Sequence, residues 1–271
     1  MKHFIRDTFV FVVNLFGVSF LYRFILRKKG PLVRVICFHD VADRKWFEKI
    51  VAMLVEEYHI ITPAEFKAQA FDEAKINILL TFDDGYQTWI DTCLPLLEKF
   101  QLKGIFFVNS GLLDSAHNEQ KVAEFFKSRV LISQKKPLTW DGAKMLVRAG
   151  HTIGGHTINH VNLASFEREQ AYTEIYEDKK RHEEMLGVSL KEFAFPFGTK
   201  KHFTQHTIEE AVNSGYDMCF SAITGFYHPT TKLALVPRTL LENNQSPVSV
   251  KSWIEGGFDC FYKIKNCMGF E

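Results

Sequence analysis

His156 and His160 stand four residues apart in the run Gly154-Gly155-His156-Thr157-Ile158-Asn159-His160. On a helical turn that spacing puts both imidazoles on one face, where they can hold one metal ion together with a carboxylate brought from elsewhere in the chain. Such pairs also arise by chance on surface helices, but two glycines at a strand end favour the ligand reading. Asp83 and Asp84 are neighbouring carboxylates that follow an apolar stretch and precede Gly85. Asp and Gly end strands for backbone reasons alone. Two acids in succession on an extended segment, however, point in different directions, which suits a division of labour: one ligates a cation and the other accepts a proton. His39-Asp40 closes another apolar run, and Pro237-Arg238 a further one.

Residues so far apart in sequence can meet only if regular elements deliver them. Short apolar, β-branched runs predict strands over Val33–Phe38, Ile76–Phe82, Gly104–Asn109, Thr152–Gly154, Glu192–Phe195, Met218–Ser221 and Leu233–Val236. Helices are expected over Thr88–Phe100, Trp140–Ala149, Phe166–Leu186 and Thr207–Ser214, with Ser165 as an N-cap and Gly187 and Gly215 as stops. This alternation predicts an α/β fold around a mostly parallel sheet, open or closed into a barrel. In such sheets active sites lie at the C-terminal ends of the strands, which is where the histidines and acids above fall.

The composition agrees. With 271 residues, 46% hydrophobic and 24% charged, the chain is neither disordered nor collagenous and is long enough to bury a large core without a structural metal. A metal in it would therefore serve chemistry. Thirty-three Lys and Arg against 32 Asp and Glu leave a formal charge of +1, which argues against nucleic acid as a partner. The 26 Phe residues fit a bulky core, a sugar-stacking cleft or a membrane contact. Five cysteines without a CxxC pair argue against a disulfide framework and mildly favour a reducing compartment.

Thr81-Phe82-Asp83-Asp84-Gly85, then His156-Thr157-Ile158-Asn159-His160, then Phe193-Ala194-Phe195-Pro196-Phe197-Gly198 resemble the successive motifs of the polysaccharide deacetylases, the NodB-homology or carbohydrate esterase family 4 enzymes. The resemblance runs from about Val33 to Gly256. It implies a distorted (β/α) barrel of about seven strands and a metal-dependent hydrolase that removes acetyl groups from N-acetylated sugars. Carried over residue by residue, Asp84, His156 and His160 become ligands of a divalent ion, zinc first, and Asp83 the general base. Two departures stand out. Many members place an arginine that steadies the base two residues before the motif proline, where this chain has Ala194, and many use a late Leu-x-x-His histidine as the acid, whereas no histidine follows His228. The chain resembles instead the branch that includes poly-N-acetylglucosamine deacetylases, in which a Tyr-His or Phe-His step ending the first strand supplies the acid. Cys37-Phe38-His39-Asp40 and Pro237-Arg238 match that branch, so His39 is the expected acid and Arg238 the expected partner of Asp83. A backbone N–H near Phe197 is the expected oxyanion donor. An enzyme acting on another amide, or an inactive carbohydrate-binding relative, would share the fold.

Other residues read more plainly. His182, among Lys179, Lys180, Arg181 and Glu183, belongs on a solvated helix face. His202, His206 and His228 are expected in loops or at the surface, His151 facing away from the cleft, and Trp140 packing at a helix start. Thr8 to Tyr22 carries no charge, and Arg23, Arg27, Lys28 and Lys29 follow. Residues 1–29 are expected to form an apolar helix that lies on a membrane, spans it or packs on the 30–271 catalytic domain. At about 1.5 Å per residue, fifteen residues fall short of a hydrocarbon core of about 30 Å. The excess of basic residues after the run places the enzyme in the cytoplasm or on the cytoplasmic membrane face, beside an N-acetylated polysaccharide, oligosaccharide or lipid-linked glycan.

Overall fold

The computed structural model describes residues 17–228, 235–243 and 245–259. A helix, α1 (Val18–Arg27), leads into strand β1 (Leu32–Phe38), and a longer helix α2 (Arg44–Glu57) returns to β2 (His59–Ile61) and the short α3 (Pro63–Ala68). Strands β3 (Ile76–Asp84), β4 (Gly104–Val108), β5 (Thr152–Gly155), β6 (Glu192–Ala194), β7 (Met218–Phe220) and β8 (Thr239–Leu240) follow. Between them lie α4 (Leu94–Lys99), α5 (Ser110–Asp114), α6 (Glu119–Phe125), α7 (Trp140–Arg148), α8 (Arg168–Leu186) and α9 (Gln205–Asn213), and α10 (Pro247–Ile254) comes last.

The strands are parallel neighbours in the order β7-β6-β5-β4-β3-β1-β8, with β2 pairing onto β3. The two edges meet through one residue. Val236 bridges Phe220 of β7, and three residues later the same segment pairs with β1 at Ile36 and Cys37. The result is a distorted (β/α) barrel. Its final strand differs from the sequence expectation. Of Leu233–Val236, residues 233–234 lie outside the described residues, Val236 makes only that bridge, and the strand itself is β8.

Side chains alternate as the pleat requires. Val33 and Val35 of β1, Leu79 of β3, Ile105 and Phe107 of β4 and Met218 and Phe220 of β7 fill the interior. Ile36 and Phe38, Ile78, Leu80 and Phe82, and Phe106 face α2, α4 and α7. The phenylalanines chiefly build core: Phe82 stacks on Phe106 with centroids 4.4 Å apart, and Phe38 on Phe82 at 5.4 Å.

Three helix expectations shift. Thr88–Phe100 is a π-helical turn over Trp89–Cys93 continuing into α4, where Pro95 supplies no backbone N–H to the ladder. The N-cap of α8 is Glu167, with Gln170 reciprocating, because Ser165 belongs to a 3₁₀ turn at Leu163–Ser165. His182 is fully buried rather than solvated: its Nδ1 lies 2.8 Å from the carbonyl of Asp178, and Trp140 packs edge-on at 5.3 Å. No helix among the described residues is long and apolar enough to cross a membrane; most of the expected 1–29 helix, residues 1–16, lies outside them.

Candidate active site

Strand parity explains how the site assembles. Odd positions of β1 and β3 face the interior, so Cys37, Thr81 and Asp83 point inward, and His39 just beyond β1 continues the same row. Asp84 would by parity face the helices. Instead its φ of 86°, followed by 102° at Gly85, turns the chain and brings its carboxylate to the barrel mouth. Thr157, His160 and Phe197 also hold positive φ values of 67°, 49° and 58°. Such conformations cost about 1–3 kcal/mol each and concentrate where function over-determines the backbone.

Asp84 Oδ1 lies 3.4 Å from His156 Nε2 and 3.3 Å from His160 Nε2. All three side chains are buried. His156 Nδ1 is 2.7 Å from the Ala194 carbonyl and His160 Nδ1 is 3.1 Å from that of Arg129. A carbonyl can only accept, so each ring carries a proton on Nδ1 and presents Nε2 to Asp84. The other Asp84 oxygen accepts a hydrogen bond from Tyr86 Oη at 2.8 Å, whereas Oδ1 has no hydrogen-bond partner. Burial opposes ionisation of Asp84, but His39, His156 and His160 outweigh it and hold the carboxyl well below the usual range. Two imidazole nitrogens and a carboxylate, all buried and within 4.8 Å of one another, are a donor set that fits a divalent cation once Nε2 is deprotonated.

Asp83 stands beside this cluster. Both its oxygens are held by Arg238, at 2.6 Å to Nη1 and 2.6 Å to Nη2, a bidentate pair almost wholly buried. Burial pushes the Asp83 carboxyl up; Arg238 foremost, with His156 and His39, overcomes it and keeps the group lowered. Arg238 lies 5.2 Å over the Phe107 ring and donates from Nε to the Ser221 carbonyl at 3.0 Å. Ligand atoms of Cys37, His39 and Asp83 lie within 4.8 Å of one another. Burial, reinforced by Asp83 against the opposing Arg238, raises the Cys37 thiol and keeps it protonated.

Two adjacent cavities share walls here. A cleft of about 540 Å³ is walled by His39, Asp84, Tyr86, His160 and Phe197, with Lys135 paired to Asp40 across its rim at 3.0 Å. Behind it a chamber of about 340 Å³ reaches Cys37, Asp83, His156, Ala222 and Arg238. Phe197 borders both, its ring 4.6 Å from His160. The structure therefore brings His39, Asp83, Asp84, His156, His160, Phe197 and Arg238 to one place. His202, read as a surface residue, lines the inner chamber, and His151 packs away from it against Phe106.

Three supporting residues were not read from the sequence. Tyr86 follows Asp84 by two positions, and its hydrogen bond could have been suspected from the Asp-Asp-Gly-Tyr run. Asn109 donates to the carbonyls of His156 and Thr157. Asp178 on α8 accepts the backbone N–H of His156 at 3.1 Å and of Ser110 at 2.9 Å. No local pattern announces either contact.

A polysaccharide deacetylase family model matches residues 72–219. The polysaccharide deacetylase homologue YxkH of Bacillus subtilis (strain 168) is 23% identical over 202 residues, covering 70% of this chain and 64% of that protein. The poly-β-1,6-N-acetyl-D-glucosamine N-deacetylase of Escherichia coli (strain K12) is 26% identical over 198 residues, 62% of this chain but 28% of the enzyme. Among solved structures, the deacetylase PplD of Streptococcus pyogenes superposes with a TM-score of 0.68 at 19% identity, covering 82% of this chain and 98% of that one. IcaB of Ammonifex degensii gives 0.67 at 20%, covering 84% and 98%; these two show the shared fold. With the family model spanning more than half of its length, the chain belongs to the polysaccharide deacetylase family.

Proposed function

We propose that this protein hydrolyses the N-acetyl groups of a polysaccharide built from N-acetylglucosamine, using a divalent cation, zinc first, held by Asp84, His156 and His160. The observation that carries this reading is Asp84 Oδ1, without a hydrogen-bond partner, facing Nε2 of two imidazoles beside a carboxylate gripped by an arginine. The bound ion would polarise the acetamide carbonyl and acidify a water. Asp83, kept ionised and oriented by Arg238, accepts the proton of the attacking water. His39 protonates the departing sugar amine, and the backbone at Phe197 donates to the developing oxyanion. The outer cleft takes the sugar, and the chamber lined by Phe195, Ala222 and Leu240 takes the acetyl methyl. Poly-N-acetylglucosamine is favoured by the activity named for the Escherichia coli relative.

Acetate release is to be measured from N-acetylglucosamine oligomers, β-1,6- and β-1,4-linked polymers and N-acetylated lipid-linked saccharides, with chelator and after zinc is restored. Release from the polymers, abolished by chelator and recovered with zinc, is expected. No acetate from any of these, or full activity of the metal-free protein, overturns the proposal.

A further inference from the structure

Helix α1 has two unlike faces. Leu26 and Ser19 are buried, Arg23 pairs with Glu255 at 3.1 Å, and Arg27 donates to the carbonyls of Glu73 and Ala74. The helix is therefore firmly seated. On its other side Phe20, Leu21, Phe24 and Ile25 are 68%, 57%, 51% and 50% exposed. The other exposed large apolar residues among those described are scattered singly or in one pair, and this is the one place where four fall on a single face. Exposed Lys28 continues that face one turn on, its Nζ 5.1 Å from the Phe24 ring, and exposed Lys29 follows. Aromatic and aliphatic side chains edged by lysines match the boundary between acyl chains and anionic headgroups. The sequence immediately upstream, Thr8–Phe16, adds apolar residues and no charge.

The place of α1 in the barrel is equally informative. Arg27 grips the residues just before β3, Tyr22 packs on Phe226, and β1 starts five residues after α1 ends. All of these contacts are at the N-terminal ends of the strands. His39, Asp83 and Asp84 are at the opposite ends, and the seven residues of β1 separate the two levels by roughly 20 Å at 3.3 Å per residue.

We propose that the α1 face docks on an anionic phospholipid bilayer and that the barrel stands on it with its catalytic mouth turned outward. The docking half is independent of the enzyme's chemistry; the consequence for substrate rests on the deacetylase reading. A sugar at headgroup level on the same bilayer lies beneath the barrel's base. The substrate is instead a glycan chain long enough to reach the outward mouth, and a short lipid-linked saccharide is not.

The test uses the full chain and vesicles of phosphatidylcholine with or without phosphatidylglycerol. Co-sedimentation with the phosphatidylglycerol vesicles is expected to weaken about tenfold or more in Phe20→Ser/Phe24→Ser, two exposed positions whose loss leaves Tm and soluble activity unchanged. Lys28→Gln/Lys29→Gln is expected to weaken binding to the anionic vesicles alone. In Phe24→Trp, brominated lipid is expected to quench the new indole. Wild-type protein that ignores vesicles, or a Phe20→Ser/Phe24→Ser variant that binds as well as wild type because upstream residues do all the work, overturns the docking surface. So does sedimentation showing that the face instead joins two copies of the chain. For orientation, vesicle-bound enzyme is expected to deacetylate soluble poly-N-acetylglucosamine as fast as free enzyme and to leave an N-acetylglucosaminyl lipid in the same vesicles untouched. Faster deacetylation of that glycolipid in vesicles than in detergent overturns the outward mouth. Absence of acetate from every substrate refutes the deacetylase reading and leaves the binding result standing.

Discussion

The Asp83-Asp84 step places two identical functional groups in opposite electrostatic settings within one peptide unit. Asp83 faces a cation supplied by the chain itself, Arg238, while Asp84 Oδ1 faces Nε2 of two imidazoles, a donor set that fits an external one. Asp83→Asn is therefore expected to abolish turnover yet keep one metal per chain, as counted by elemental analysis, because the amide conserves shape but accepts no proton. Loss of metal in that variant would make Asp83 a ligand. His39 clusters with Asp83 and has the wall position required of a proton donor. His39→Ala is expected to lower kcat by about 10²–10⁴ with little change in metal content; a near-normal kcat would reduce His39 to a strand terminus. The arginine was harder to read. The family pattern leads the eye to position 194, and only Pro237-Arg238 hinted that the guanidinium enters from a different strand.

At the level of elements, the strands were legible because buried runs such as Ile76–Phe82 are short, apolar and bounded by turn residues. The closing strand was not. β8 has two residues, and its place depends on a long-range pairing with Ile36 and Cys37 that no local pattern encodes. His182 was misread for a related reason: lysines, arginines and glutamates surround it in sequence, yet on α8 it shares a buried stripe with Asp178 and Ile175. Strand β5 shows how tightly elements fix the ligands. A Cβ on Gly154 would stand 2.5 Å from the Phe107 ring and 2.8 Å from the Glu192 carbonyl oxygen. Gly154→Ala should therefore displace β5 and, two residues on, His156, costing about 1–3 kcal/mol as overpacking does. Thermal melting and metal content would record it, with partial recovery in the Gly154→Ala/Phe107→Leu double variant; an unchanged melt would mean that β5 is less constrained than its packing implies.

For the molecule as a whole, a buried histidine remote from the cleft should govern acid stability. His151 accepts the Gly104 N–H at 3.2 Å through Nδ1, and burial, aided by nearby Lys103, pushes its pKa from 6.5 down to about 4. Between those values the unfolded chain binds a proton that the folded chain refuses. Stability is thus fully present above pH 6.5 and falls as pH drops towards 4, by up to roughly 3 kcal/mol. Denaturant titrations across that interval should show a steeper loss for wild type than for His151→Gln; equal slopes would exonerate His151. The barrel's late closure has a temporal meaning as well. Asp84, His156 and His160 lie between 84 and 160, but the guanidinium that orients Asp83 arrives only with residue 238. At translation rates of about 5–20 residues per second, the 78 residues from Val161 to Arg238 take roughly 4–16 s to be added. Asp84, His156 and His160 thus emerge ahead of the arginine that orients Asp83, while the Asp178 and Ala194 groups that hold His156 come in between, so the site is completed in stages from the N-terminal side.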